Sequence, residues 1–574
     1  MGYEQRSPQP EVRQFGGLNT RDSEIALPGN DSPSMLNVSL HPAGSVQSRE
    51  GMRALTSPTG EFKIDAIMSL QNPEEGRIFL YCIADGTIYR TTDPGVWSWL
   101  EAKIDGAPAE SVVMPAVDHH YGRENTRYYD LDSTTEYPAC LYICRTDGAP
   151  IVAVGAVDPD ADLFEIPVGV AGIPGTPGTP GTPGYNPDWD GDMGFPKFIR
   201  LIGLGAGERL HAWGFEGNKS ISYYSALDEP YNFIRAKMDY NLDANPEVDG
   251  GFYGVRLGDG DEIVTIVDMV SYTVIFKKNN TFLYTGDPGS TDWALKKTIP
   301  VGCVSDRAWV KVGDDILFWA KDGPRALSAV FEYGDLAHAN VALKILDEVV
   351  GVIPDDFDKI CCYHDPTNMR VIWYVPMLGN SYNNAAFVFY YDRGIFTRWS
   401  GGATNIMDVE RVITDGSQTE RIIAGGYDTG VVQLQYGDAD VENIDDVITL
   451  DDIEKTYITG WIQTGSVADA TRSLWVDFFF GDGGGGVDIE FQTDLNETWE
   501  PIDRITSSMG GSGSIWGSFK WGDGTKWGQT GRSFVRYEMD ALFRLIRFRF
   551  SKTGQLGFET MGFRIEMRER GSRA

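Results

Sequence analysis

Four times between about residue 64 and residue 436 the chain sets a strand, a tight turn and a second strand in succession. The copies are 77–91 (RIFLYCIADGTIYRT), 272–286 (YTVIFKKNNTFLYTG), 314–328 (DDILFWAKDGPRALS) and 421–434 (RIIAGGYDTGVVQL). Their turns, Asp85-Gly86, Asn279-Asn280, Asp322-Gly323 and Asp428-Thr429-Gly430, use residues that accept positive φ at little cost, which suits antiparallel hairpins. The strands are apolar on both faces. In 78–83, Ile78, Leu80 and Cys82 point one way and Phe79, Tyr81 and Ile83 the other, and neither set suits water. Such a hairpin must be covered on both sides. Small sheets stacked face to face around an axis, as in a β-propeller, meet that demand. The copies beginning at Tyr272 and Asp314 start about 42 residues apart, one blade per unit. The other copies are further apart, so blades between them are degenerate in sequence. Sandwich domains build similar strands but expose one face more often. The expected fold is mostly β, with a β-propeller core over 61–436.

The composition separates further parts. At 171–192 Gly recurs every third residue with Pro before it, a collagen-like run too short for a stable triple helix and suited to an extended spacer or a trimerising stalk. The hairpin pattern ends near Tyr436. An acidic run follows, with Asp438, Asp440, Glu442, Asp445, Asp446, Asp451, Asp452 and Glu454. It marks a boundary and reads either as a solvated linker or, repeated around a ring, as the lining of an acidic channel. Beyond it, residues 437–574 form a C-terminal, β-sandwich-like domain. There Ile546, Phe548 and Phe550 alternate with Arg547 and Arg549, and Phe563, Ile565 and Met567 with Arg564, Glu566 and Arg568. Each strand has one buried and one largely basic face.

The N-terminal segment 1–60 has no helical period. It carries no apolar run behind a basic start, so no secretory leader is expected. A Gly/Pro-punctuated arm leads to a short strand at 45–48 and then Arg49-x-Gly51-x-Arg53. With Gly16, Gly17, Leu18 and Asn19 at its opening, Asn37-Val38 in its middle and Arg49-x-Gly51 at its close, the arm resembles the N-terminus of bacteriophage virion tail proteins, in particular the nozzle or tail-hub proteins of short-tailed phages. Two central segments resemble blades of the same family: 208–233 (ERLHAWGFEGNKSISYYSALDEPYNF), with its Tyr-Ser pair and Asp-x-Pro-x-Asn-Phe, and 299–327, with Gly302-Cys303 and the Asp-Gly turn. The resemblance implies a structural virion protein. It would be a tail nozzle subunit in a ring, a hexamer, that extends the DNA-ejection channel below the portal and adaptor. Implied partners are the head-to-tail adaptor and tail fibre or spike proteins, with assembly in the host cytoplasm. Phe15, Gly16, Gly17, Leu18, Asn19, Arg49 and Arg53 are then expected at a subunit or adaptor interface. Removing the residues before Ser45 is expected to leave the β domains folded and block assembly.

The charge bears on the partners. Over 574 residues, 83 Asp and Glu against 49 Lys and Arg give a net charge of −34. Such a surface repels nucleic acid, so no stable binding is expected. Duplex DNA could still pass through an acidic conduit without sticking. No apolar run reaches the ~20 residues of a membrane helix. The six cysteines form no Cys-x-x-Cys pair and read as buried thiols.

Signals for catalysis, cofactors or metals are weak. No His-Glu-x-x-His helix or Gly-x-Ser-x-Gly elbow occurs, His119-His120 is an isolated pair, and Asp188-x-Asp190-x-Asp192 lacks the Gly and Glu of a calcium loop. The cluster 258–262 reads as a turn. The chain is therefore expected not to be an enzyme and to hold no cofactor or metal. Trp516, Trp521 and Trp527, each followed by Gly in a Gly/Ser-rich stretch, suit local packing, a subunit or tail-tip contact, or a sugar face. The competing functions are another tail component, a baseplate or tail tip, and a receptor- or glycan-binding or glycan-degrading propeller. An enzyme of that kind would bring carboxylates together in one central pocket.

Overall fold

The computed structural model describes residues 10–41, 44–58, 63–72, 77–84, 87–91, 98–104, 107–108, 128–129, 136–137, 141–144, 150–153, 163–165, 195–203, 207–227, 250–328, 341–413, 420–437, 439–444, 447–463, 471–481, 486–505, 533–554 and 557–568. The Gly/Pro-rich insertion, His119, His120, the Asp188 loop, Trp516, Trp521 and Trp527 lie outside these residues.

Among the described residues, seven sheets follow one another around a propeller. Blade 1 is built from Ala66–Asn72, Arg77–Ala84, Thr87–Thr91 and Leu100–Glu101. Blade 2 holds Leu141–Ile143, Ile151–Ala153, Leu163–Glu165, Lys103–Ile104 and Ala107–Pro108. Blade 3 contains Phe198–Gly203, Glu208–Trp213, Ile221–Tyr224 and Gly251–Gly254, and blade 4 contains Ile263–Asp268, Thr273–Lys277, Thr281–Thr285 and Ala294–Ile299. Blade 5 has three described strands, Trp309–Val312, Asp315–Ala320 and Gly323–Ala326. Blade 6 runs through Cys361–Asp365, Arg370–Val375, Ala385–Tyr390 and Ile395–Ser400. Blade 7 takes Ile406–Ile413, Glu420–Gly426 and Val431–Leu434 from its own stretch of chain, and its outer strand, Met52–Ala54, from the N-terminal arm. The first strands of blades 7 and 1 touch, and Ile67 N donates to Asp408 Oδ2 across that seam, so the ring is closed.

The four hairpins legible in the sequence are the second and third strands of blades 1, 4, 5 and 7. Their two-sided apolarity is burial on both faces: 79–84 are 0% exposed, and every residue of Ala385–Tyr390 in blade 6 is buried. Blade 6 shares this chemistry but turns differently. At its first turn Asp365 Oδ1 accepts from Asn368 N, with Met369 at φ 51°, so no Asn-Gly or Asp-Gly dipeptide signals it.

The C-terminal domain is a sandwich of two sheets. One joins Val38–Leu40, Val46–Ser48, Glu559–Arg568, Thr471–Phe480 and Ser533–Phe543, with Glu11–Val12 on the flank. The other joins Ser34–Leu36, Ile453–Ile458, Leu545–Gly554, Val487–Thr493 and Asn496–Ile505, with Ile462–Gln463 beside Leu545–Gly554. Phe478, Phe548, Phe550, Phe563 and Ile565 fill the core between them. Arg547 and Arg549 are half-buried on the outer face, as their alternation requires. They are not bare: Arg547 donates to Glu24 and Arg549 to Glu490, and their guanidinium groups stack on Trp461 and Trp499.

The acidic run is not a linker. Asp440–Ile444 and Val447–Asp451 pair as a two-stranded hairpin, and Ile453–Ile458 already belongs to the sandwich. Between them, Asp452 is exposed. Among the described residues no helix is long and apolar enough to cross a membrane.

Candidate functional site

The arm is an intramolecular clasp. Phe15 is 3% exposed and meets Tyr457 and Phe550 edge-on at 5.1 and 6.0 Å, inside the sandwich core. Leu18 N donates to Phe396 O of blade 6, and a Cβ on Gly17 would lie 2.7 Å from Ile395 Cβ, so only glycine permits this approach. Asn19 donates to Asp22 and Asp31, and Tyr457 Oη to the carbonyls of Gly16 and Asn30. Burial pushes the Tyr457 phenol well above its usual range.

Asn37 sits at φ 54°, a conformation Asn tolerates, and bridges Ser400 of blade 6 to Glu454 O of the sandwich. Arg49 is 0% exposed and donates to Asn37 Oδ1, Ser400 O and both carboxylate oxygens of Asp440. Gly51 crosses the chain that leaves blade 7 so closely that a Cβ would collide with the Ala439 carbonyl. The three arm segments thus meet where propeller, sandwich and connecting chain join.

Several sequence-derived site assignments change accordingly. Phe15, Gly16, Gly17, Leu18, Asn19 and Arg49 are covered by the chain's own two domains and present no surface to another subunit. Arg53 stacks on Tyr436 and donates to Gln433, again within the chain. Asp440, 1% exposed and paired with Arg49, cannot line a channel. Asp452 and Glu454 are exposed. Asp438, Asp445 and Asp446 lie outside the described residues, as do the side chains of Glu442 and Asp451.

A second constellation, not read from the sequence, gathers at the propeller axis. Arg307, from the entry to blade 5, donates through Nη1 to Met407 O of blade 7 and to Asp65 O beside blade 1. It therefore reaches across the hole of the ring. Arg200 of blade 3 donates to Asp306 and to Thr265 of blade 4. Asp408 of blade 7 accepts from the amides of Ile67 and Val409, and burial lifts its carboxyl to about 6, opposed by Arg307. Asp65, Asp306 and Asp408 are 1%, 7% and 5% exposed. They are brought near the axis only in the folded ring, Asp65 through its backbone carbonyl, since its carboxylate pairs with Lys63.

Beside this cluster lies a cleft of about 440 Å³ between the entries and inner turns of blades 3 to 6, lined by Asp306 and Arg307 among others. On its rim Glu262 pairs with both Lys219 and Lys278. The neighbouring turn 258–262 is more than a connection: Asp259, Ser220 Oγ and Asp261 O surround the buried ammonium of Lys277 at 2.9–3.2 Å. Elsewhere His211 is held neutral, its pKa lowered to about 3 by burial and the nearby Arg209.

No family model matches the chain, and no curated protein does. Solved structures of similar shape include an exo-beta-1,3-galactanase from Phanerochaete chrysosporium with galactose, at 10% identity and TM-score 0.26 over 91% of this chain and 100% of that one. A glycoside hydrolase overlaps at 11% identity and TM-score 0.24, over 89% and 98%. The extracellular domain of a hybrid two-component system from B. thetaiotaomicron overlaps at 10% identity and TM-score 0.38, over 80% and 49%. With enzymes among these structures, the expectation that the chain is not an enzyme is withdrawn. Overlaps at these TM-scores carry no activity over to it.

Proposed function

We propose that the chain is a ring-forming subunit of a bacteriophage tail nozzle. The observation that carries this reading is the convergence of the arm motifs. Gly16–Asn19, Asn37-Val38 and Arg49-x-Gly51, spaced along one arm, serve one clasp, so the resemblance follows a coherent structural device. Arg307 spans the propeller's own hole, so a genome path would need the larger hole of an oligomer. The chain's charge of −34 would keep duplex DNA from adhering to that bore, because few cations would be there to release counterions. In this reading adaptor and fibre proteins bind the ring's two ends. Negative-stain imaging and native mass spectrometry of the purified chain, alone and with its adaptor, test it. A closed ring, expected to be hexameric, with an acidic bore supports the reading. A chain that stays monomeric in both samples, or a bore lined by Lys and Arg, ends it.

A second reading is favoured by the cleft beside the axis: a propeller that binds or cleaves a glycan there. Glu262, Asp306, Asp355 and Asp358 bring carboxylates to the lining of that cleft, as such a site requires.

A further inference from the structure

The cleft beside the propeller axis is unequal in charge from wall to wall. The turns of blades 3, 4 and 5 bring Lys219, Lys278 and Lys321 to one side. Glu262 is shared by Lys219 and Lys278, and so offsets one charge of the two. Lys321 donates to the neutral Asn279. Asp306 is engaged by Arg200. Arg307 gives Nη1 to two carbonyl oxygens, while its buried Nη2 makes no hydrogen bond. The excess positive charge therefore lies on the blade 3–5 side of a molecule whose net charge is −34. The turn that leads into blade 6 contributes Asp355 and Asp358, and Phe198 and Phe357 add apolar surface.

We propose that this cleft binds the acidic sugar unit of a charged glycan. A sugar acid carries a carboxylate for the lysine wall, hydroxyl donors for the aspartate wall and a C–H face for a phenyl ring, so one ligand answers all three surfaces. A phosphate ion would use the cations alone, and a neutral sugar would leave them unanswered. The volume of about 440 Å³ lies within the range of about 300–1,000 Å³ usual for small-ligand sites. The proposal rests on the second functional reading and names its ligand class.

The test is calorimetric titration of the full chain with glucuronate, with glucose and inorganic phosphate as controls. Glucuronate is expected to bind at least about tenfold more tightly than either control. Lys219 and Lys278 are 56% and 51% exposed, so the Lys219→Ala/Lys278→Ala variant should fold and melt like the parent. It should lose about tenfold in glucuronate affinity, the scale of a lost charge-assisted hydrogen bond. Equal binding of glucose would overturn the acidic ligand class and leave the glycan reading standing. Binding of neither sugar would end both. Phosphate binding as tight as glucuronate, or an unchanged affinity in the lysine variant, would also overturn the proposal.

Discussion

Asp408 shows what the axis demands of a single residue. Burial raises its carboxyl from 3.8 to about 6, although Arg307 and two backbone amides favour the ionised form. The folded chain thus binds this proton more tightly than the unfolded chain does. Its contribution to stability is most favourable below the unfolded value and is lost as pH rises from about 4 to about 6. A shift of roughly two units corresponds to at most about 3 kcal/mol. Asp408→Asn removes the titration but keeps an acceptor for one of the two amides. The variant should gain stability relative to the parent between about pH 4 and pH 7, by up to about 3 kcal/mol, in urea unfolding at both pH values. A difference that does not change with pH would show that the carboxyl is not strained at neutral pH. None of this was legible in the sequence. Asp65, Arg200, the Asp306-Arg307 pair and Asp408 stand in unrelated contexts, and only closure of the ring makes them neighbours.

At the scale of elements, the hairpins were legible because their turns carry Asp, Asn and Gly and their strands are apolar on both faces. The arm's role was not. Met52–Ala54 is three residues long, too short for a period. Its partner strand lies far along the chain, with Arg53 bonded to Gln433 across a separation of 380 residues. The glycines that read as an interface signature are glycines because neighbouring chain passes too close for a Cβ. The structure also reverses the expected effect of truncation. Deleting the residues before Ser45 would remove Phe15, Leu18, Met35, Val38 and Leu40, all 3% exposed or less, together with strands of both sandwich sheets. The sandwich should then fail to fold, and limited proteolysis should digest residues beyond 453 while sparing the blades. A truncated chain with an intact, protease-resistant sandwich would refute this assignment. The milder Phe15→Ala should cost about 3–5 kcal/mol, as large aromatic truncations in a filled core do.

For the whole molecule, two domains that share an arm should not unfold independently. A propeller and a sandwich joined by a plain linker would give two transitions, because little energy couples them. Here Arg49 bonds the arm to blade 6, to Asp440 of the connecting chain and, through Asn37, to the strand Ile453–Ile458 of the sandwich. Removing one member of such a buried pair leaves the other charge dry and unanswered, at a cost of about 3–5 kcal/mol. That cost falls on the junction and not on either core. Scanning calorimetry of the parent chain should therefore show one transition, with the sandwich and propeller melting together. Arg49→Met should lower the melting temperature and resolve the sandwich as a separate, earlier transition, because the sandwich depends on arm strands that the clasp holds in place. Asp440→Asn should act in the same direction, and the double variant should cost less than the sum of the two singles, since each change breaks the same pair. A single transition that merely shifts in all three variants would mean that the two domains are coupled through the rest of the arm, and that Arg49 adds stability without being the hinge of their cooperation.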